Sequence, residues 1–160
     1  MNEESFWDRF VTYYATAPNR RRGRRREEPM KCTFVGLLSD SPEENDLLLD
    51  EILSKKRTAI ITPLAQWPEG KEFPHAEEYH VLMDSQGQER CVLRTGGATL
   101  TTFRDMQEDF ALAEGRDETF AAWQEHTREK LKRWCGTHQV PFSVDMPMVV
   151  EHFTMVYWEE

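Results

Sequence analysis

Apolar residues recur along the chain at two periods, and the switches between them mark out the elements. Phe6, Trp7, Phe10, Val11 and Tyr14 fall at helical spacing, and Glu3 and Glu4 sit in the first turn, where the helix dipole favours them. Residues 3–16 are therefore expected to form a short amphipathic helix. From Lys31 the run KCTFVGLL predicts a strand. Asp40-Ser41-Pro42-Glu43-Glu44 then supplies a cap, a first-turn proline and first-turn acids for a helix over about 42–54. Leu47, Leu48, Leu49, Ile52 and Leu53 give that helix a wide apolar face. Lys55 to Thr62 turns from a basic helix end into a β-branched strand ending at Pro63, and Trp67-Pro68-Glu69-Gly70 and Phe73-Pro74 read as loop.

Tyr79, Val81 and Met83 alternate with polar residues, Asp84-Ser85-Gln86-Gly87 is a turn, and Cys91, Val92 and Leu93 continue as the partner strand. A strand around 98–102 leads to a helix carrying Phe103, Met106, Phe110 and Ala113. A second helix places Phe120, Trp123, Thr127, Leu131 and Trp134 three or four apart and stops at Gly136. Val149 to Trp158 reads as a final strand, with Phe153, Met155 and Tyr157 on one face and Val150, His152, Thr154 and Val156 on the other. Five or six strands interrupted by helices, without regular βαβ alternation, predict an α+β fold with a small mixed or closed sheet. The chain divides into an N-terminal amphipathic helix (1–17), an arginine-rich linker or loop (18–30) and a single domain (31–160).

Composition narrows the class. A chain of 160 residues, 39% hydrophobic, can bury one sizeable core. No apolar run approaches the roughly 18 residues of a membrane span, and the N-terminus opens acidic with no basic stretch leading into an apolar one. Cys32, Cys91 and Cys135 never form a CxxC pair and read as reduced thiols, so the expected compartment is the cytoplasm. The net charge of −9 conceals an asymmetry. Arg20, Arg21, Arg22, Arg24, Arg25 and Arg26 supply six of the 20 positive charges, leaving 14 basic against 29 acidic residues, a balance of −15. Such a surface repels a phosphate backbone, so any nucleic-acid contact must be local. His75, His80, His126, His138 and His152 form no HExxH or comparable spacing, and there is no GxGxxG, Walker loop or GxSxG. Neither a metal nor a cofactor is expected. Gly96-Gly97 is a turn or bulge.

Two features rise above this background. One is the triplet Lys55-Lys56-Arg57 followed by Thr58 and Thr62, which is either a set of helix-end cations complementing the dipole or a phosphate- or base-binding pocket. The other is Glu114-Gly115-Arg116-Asp117-Glu118, between two apolar helices, which on its own is a helix stop followed by first-turn acids. Their order within the chain resembles the bacterial branch of the ASCH family, a relative of the PUA RNA-binding domains. The similarity runs from about Asp40 to Tyr157. Asp40-Ser41-Pro42-Glu43 opens the helix as in that branch. Leu53 to Ala59 sits where the family has a Ser-Gly-Lys-Lys-Thr-Ala-Thr type segment. Asp84 to Gly87 matches its hairpin turn. Phe110-Ala111-Leu112-Ala113-Glu114-Gly115, with Asp117 and Trp123, matches its Phe-Ala-x-x-Glu-Gly and downstream Asp and Trp. Asp145 to Phe153 looks like its Asp-Met-Pro-Val-Val-Cys-Glu-Arg-Phe ending.

The resemblance implies a PUA-like small mixed β-barrel with flanking helices, and a cleft between the basic segment and the Glu-Gly loop. It implies RNA or a modified nucleoside as partner, and for some relatives hydrolysis of N4-acylated cytidine or of RNA. The amidohydrolase pattern is Gly-x-Lys-x-x-Thr with a distant glutamate, which Glu114 matches. Aligned without gaps, that Gly falls on Lys55, the Lys on Arg57 and the Thr on Ile60. Arginine cannot act as a base and isoleucine has no hydroxyl. A shift of two places gives Lys55-x-x-Thr58 and keeps both groups, at the cost of a deletion. The expected ligand-binding set is therefore Lys56, Arg57, Thr62, Trp67, Arg94, Glu114 and Asp117. Trp67 offers a stacking face and the arginine run offers a nucleic-acid arm. The expected function is RNA or modified-nucleotide binding in a basic cleft opposite Glu114. The alternatives are an amidohydrolase or ribonuclease using Lys55 or Lys56, Thr58 and Glu114, and a protein-interaction domain whose acidic surface meets a basic partner.

Overall fold

The protein is described by a computed structural model covering residues 4–16 and 30–160. The elements in chain order are α1 (Phe6–Thr16), β1 (Lys31–Gly36), α2 (Pro42–Leu53), β2 (Ala59–Pro63), β3 (Ala76–Met83), β4 (Glu89–Thr102), α3 (Glu108–Leu112), α4 (Phe120–Thr137) and β5 (Pro147–Trp158). A 3-10 turn, Leu64–Gln66, follows β2. The arginine run 20–26 and nearly all of the expected linker lie outside the described residues.

The strands form one mixed sheet in the order β1-β3-β4-β5-β2. Among the described residues only the β1–β3 pair is parallel. This is the expected α+β architecture, with the ladder left open between its end strands β1 and β2. The hairpin turn lies where Asp84 and Gly87 predict it. The Gly87 amide donates to the Asp84 carbonyl, and the Asp84 carboxylate accepts from the amides of Gln86 and Gln88. The two strands expected on either side of Gly96-Gly97 are one strand, β4, with a register shift between Thr95 and Ala98. Gly97 adopts φ +84, which a bulge can demand and glycine supplies without a side-chain penalty.

Packing follows the alternation of the sheet. Phe6, Phe10 and Tyr14 of α1 bury against Tyr79, Val81 and Val92 on one face. Leu49 and Ile52 of α2 bury against Leu82, Cys91, Leu93 and Phe153 on the other. Burying each side chain of this size stabilises the fold by about 1.5–3 kcal/mol. A third cluster joins Trp123 and Leu131 of α4 to Ala59, Phe103, Met106, Ala111, Met148 and Val150. The helix expected to begin near Phe103 is confined to Glu108–Leu112. The reason is that the Phe103 and Arg104 amides donate to the carbonyls of Met146 and Val144, which draws this segment against the approach to β5. All three cysteines are free, and Cys91 and Cys135 are buried.

Candidate functional site

The end of α2 and the turn after α3 meet at one point, and the backbone shows how. Ser41 caps α2 by accepting from the Glu44 amide, and Pro42 opens the helix as predicted. At its far end Lys55 adopts φ +65, reversing the chain so that the Lys56 and Arg57 amides both donate to the Glu51 carbonyl, at 2.9 and 3.1 Å. The Thr58 and Ala59 amides then donate to the Ala113 carbonyl, and the Thr58 carbonyl accepts from Phe153. Segment 55–59 is thereby clamped between the end of α3 and β5. Gly115, at φ +77, passes so close to the Lys56 carbonyl that a Cβ there would lie 2.1 Å from its oxygen.

This clamp turns Arg57 inward. It is 3% exposed, so it is a buried cation and not the open wall of a cleft. Its Nη1 donates to the Ala59 carbonyl at 3.0 Å and lies 3.6 Å from Glu114 Oε2. Its Nη2 meets Glu51 Oε2 at 3.5 Å. Its Nε has no partner among the described residues. Glu51 also binds Arg116, whose Nη2 reaches Glu44 as well. Burial of one cation is thus offset by two carboxylates, as low-dielectric surroundings require.

Glu114 is held from three sides. Its Oε1 accepts from the Trp123 indole N–H at 2.7 Å, and its Oε2 accepts from the Ile61 amide at 3.2 Å, with Arg57 behind. Trp123 is itself fixed between Phe103 and Phe120, with near-parallel rings at 5.9 and 6.0 Å. About a fifth of the Glu114 side chain (19%) remains exposed, and it opens on a hollow of about 150 Å³. The hollow is lined by Ile61, Thr62, Pro63, Gln66, Thr127, Lys130, Leu131 and Met148 beside Glu114.

Of the residues expected from the sequence, Thr62 and Glu114 line this hollow, and Arg57 stands directly behind it. The others lie elsewhere. Lys55, Lys56 and Thr58 are exposed and do not line it, and the Lys55 ammonium sits 5.4 Å over the Trp158 ring. Trp67 packs edge-on against Phe73, donates to the Lys71 carbonyl and has the Lys71 ammonium over its face. Arg94 lies mid-sheet on β4, opposite Tyr79 and Thr154. Asp117 meets His126 Nδ1 at 2.6 Å. Gln66, Thr127 and Lys130 were not expected. Thr127 was nonetheless legible as the polar member of the stripe Phe120, Trp123, Thr127, Leu131, and Lys130 follows it one helical step later.

Chemically, the hollow combines an ionic acceptor with two hydroxyls, an amide and an ammonium. Among the described residues no group of three or more His, Cys, Asp or Glu could hold a metal ion, and no helix is long and apolar enough to cross a membrane. The open mixed sheet, with helices on both faces and a polar hollow at one end, defines a PUA-like α+β domain. A family model for the ASCH domain matches residues 35–157, and the chain belongs to the ASCH domain family. It is similar to the ASCH domain of Lactobacillus crispatus JV V101, with a TM-score of 0.62 and 26% identity over 78% of this chain and 80% of that one. It is also similar to a protein of Enterococcus faecalis V583 described under the family DUF984, with a TM-score of 0.65 and 25% identity over 96% and 92% of the two chains. No curated protein matches the sequence significantly.

Proposed function

We propose that the protein is an ASCH-type binding module that takes RNA or a modified nucleotide and seats one base in the hollow beside Glu114. The observation that carries this reading is the fixed carboxylate. Two donors and a buried cation hold Glu114 in place while part of it still faces open space. A carboxylate so placed accepts from the exocyclic amine of a base. Thr62, Gln66 and Thr127 offer donors and acceptors to the rest of the ring's edge, and Lys130 offers a positive charge to a phosphate. A space of about 150 Å³ suits a single ring, since an engineered protein cavity of that size holds benzene. Membership of a family generally associated with RNA binding supports the same reading.

The hydrolytic alternative finds less support. Lys55 has the left-handed backbone that glycine favours, as expected if it stands at the family's Gly position, and this favours the ungapped register. That register leaves Arg57 and Ile60 at the lysine and threonine positions. Isothermal titration of the protein with cytidine monophosphate, and with adenosine monophosphate as the two-ring comparison expected to bind less well, tests the binding reading, with Thr127→Leu, which narrows the hollow, and Glu114→Gln as variants. Binding that both variants weaken at least about tenfold, a loss near 1.4 kcal/mol, is the expected result. Equal affinity in the wild type and Thr127→Leu would reject the hollow. Incubation with N4-acetylcytidine and with labelled RNA is expected to give no turnover.

A further inference from the structure

The overall charge of −9 makes one stretch of α4 anomalous. From Arg128 to Arg133 the helix carries Arg128, Lys130, Lys132 and Arg133 against the single acid Glu129, all of them exposed. Among the described residues none of these four cations makes an ion pair, as holds also for the scattered Lys31, Lys55, Lys56, Lys71 and Arg94, whereas Arg9, Arg57, Arg90, Arg104 and Arg116 do; what sets α4 apart is four such cations within six residues. None lies in the last turn of the helix, so complementing the dipole does not account for them. Arg128 and Lys132 occupy one flank, where they cap the rings of Phe103 and Phe142 at 5.3 to 5.8 Å. Lys130 and Arg133 are left over. Lys130 lines the hollow, and Arg133, three residues on, is its neighbour along the same helical flank.

We propose that Lys130 and Arg133 form a phosphate track leading out of the hollow, so that the ligand is a single-stranded RNA and not a free nucleotide. This rests on the reading of the hollow given above. A base seated against Glu114 brings its own phosphate to Lys130. The next phosphate then falls to Arg133, about 4.5 Å further along the helix axis. Charge complementarity selects the partner, because these are unpaired cations on an acidic molecule beside a base-sized cavity. Bases of single strands are free to be splayed into such cavities.

Fluorescence anisotropy with a labelled mixed-sequence hexaribonucleotide, competed by mononucleotides and repeated across a salt series, tests the track in the 160-residue chain. Lys130→Ala and Arg133→Ala are the variants, with the exposed Lys31→Ala as control; alanine favours the helix, so α4 is retained. The hexanucleotide is expected to bind about tenfold or more tighter than a mononucleotide. Each α4 variant is expected to lower the slope of log affinity against log salt by about 0.7, one phosphate contact on a single strand. Slopes are compared with the wild type, so cations elsewhere in the chain cancel. Mononucleotide binding with no gain for the hexanucleotide, or slope changes no larger than that of Lys31→Ala, would overturn the track and leave the hollow standing. Failure of both ligands to bind would overturn both.

Discussion

Gly115→Ala tests the junction on which the site is built. At φ +77 any L-residue pays a left-handed penalty of about 1–2 kcal/mol. The new Cβ would also lie 2.1 Å from the Lys56 oxygen and 2.6 Å from its carbonyl carbon, where ordinary contact begins at 3.4 Å. Both obstacles are backbone, so the strand entry itself must move by more than an ångström. That displacement disturbs the Lys56 and Arg57 amide bonds to the Glu51 carbonyl, each worth about 0.5–1.5 kcal/mol. Strain and lost bonds together give about 2–5 kcal/mol. Gly70→Ala is the matched control, since Gly70 has φ +78 but nothing within 4 Å of the point a Cβ would occupy. It should lose only the conformational part. At about 2–4 °C per kcal/mol for a chain of this size, Gly115→Ala should melt several degrees below Gly70→Ala by calorimetry or circular dichroism. Equal melting of the two variants would refute the claim that the Glu-Gly turn is wedged against the end of α2.

Two further outcomes follow from buried charge. Arg57→Met leaves Glu114 without its cation and should cost about 3–5 kcal/mol in urea unfolding, with Arg57→Lys losing less; a Met variant as stable as the wild type would mean the pair contributes nothing. Burial pushes the Glu151 carboxyl above its ordinary range, with Lys71 partly opposing the shift. The folded state therefore holds that proton more tightly than the unfolded chain, and stability falls as pH rises from the ordinary glutamate value of about 4.3 through the raised one. Glu151→Gln should remove that decline, and parallel pH profiles for the two proteins would disprove it.

Much of the fold was legible because local signals and long-range packing agree. Ser41-Pro42 and Asp84 to Gly87 act through bonds within a few residues, so their positions could be read directly. Phe103 and Met106 misled because their spacing is helical while the backbone partners of this segment, Val144 and Met146, lie some forty residues away. The site was legible in part for the same reason. The resemblance implies a meeting of the basic triplet with Glu114, and of the triplet Arg57 alone reaches it, from the buried side, while Lys55 and Lys56 stay exposed outside the hollow. The direction in which Arg57 points depends on Glu51, whose role no spacing announces. Lys130 escaped because a lysine on a mixed-charge helix looks like any solvated one until Thr127 and Glu114 are seen beside it.

Trp123 has one more consequence. Of five tryptophans it is the one at 1% exposure, and its indole N–H ends on the carboxylate that faces the hollow. That bond puts Glu114 between the indole and the hollow, so a ligand that engages the carboxylate should change Trp123 emission. On the reading proposed above, filling of the hollow should therefore register in ultraviolet fluorescence without a dye.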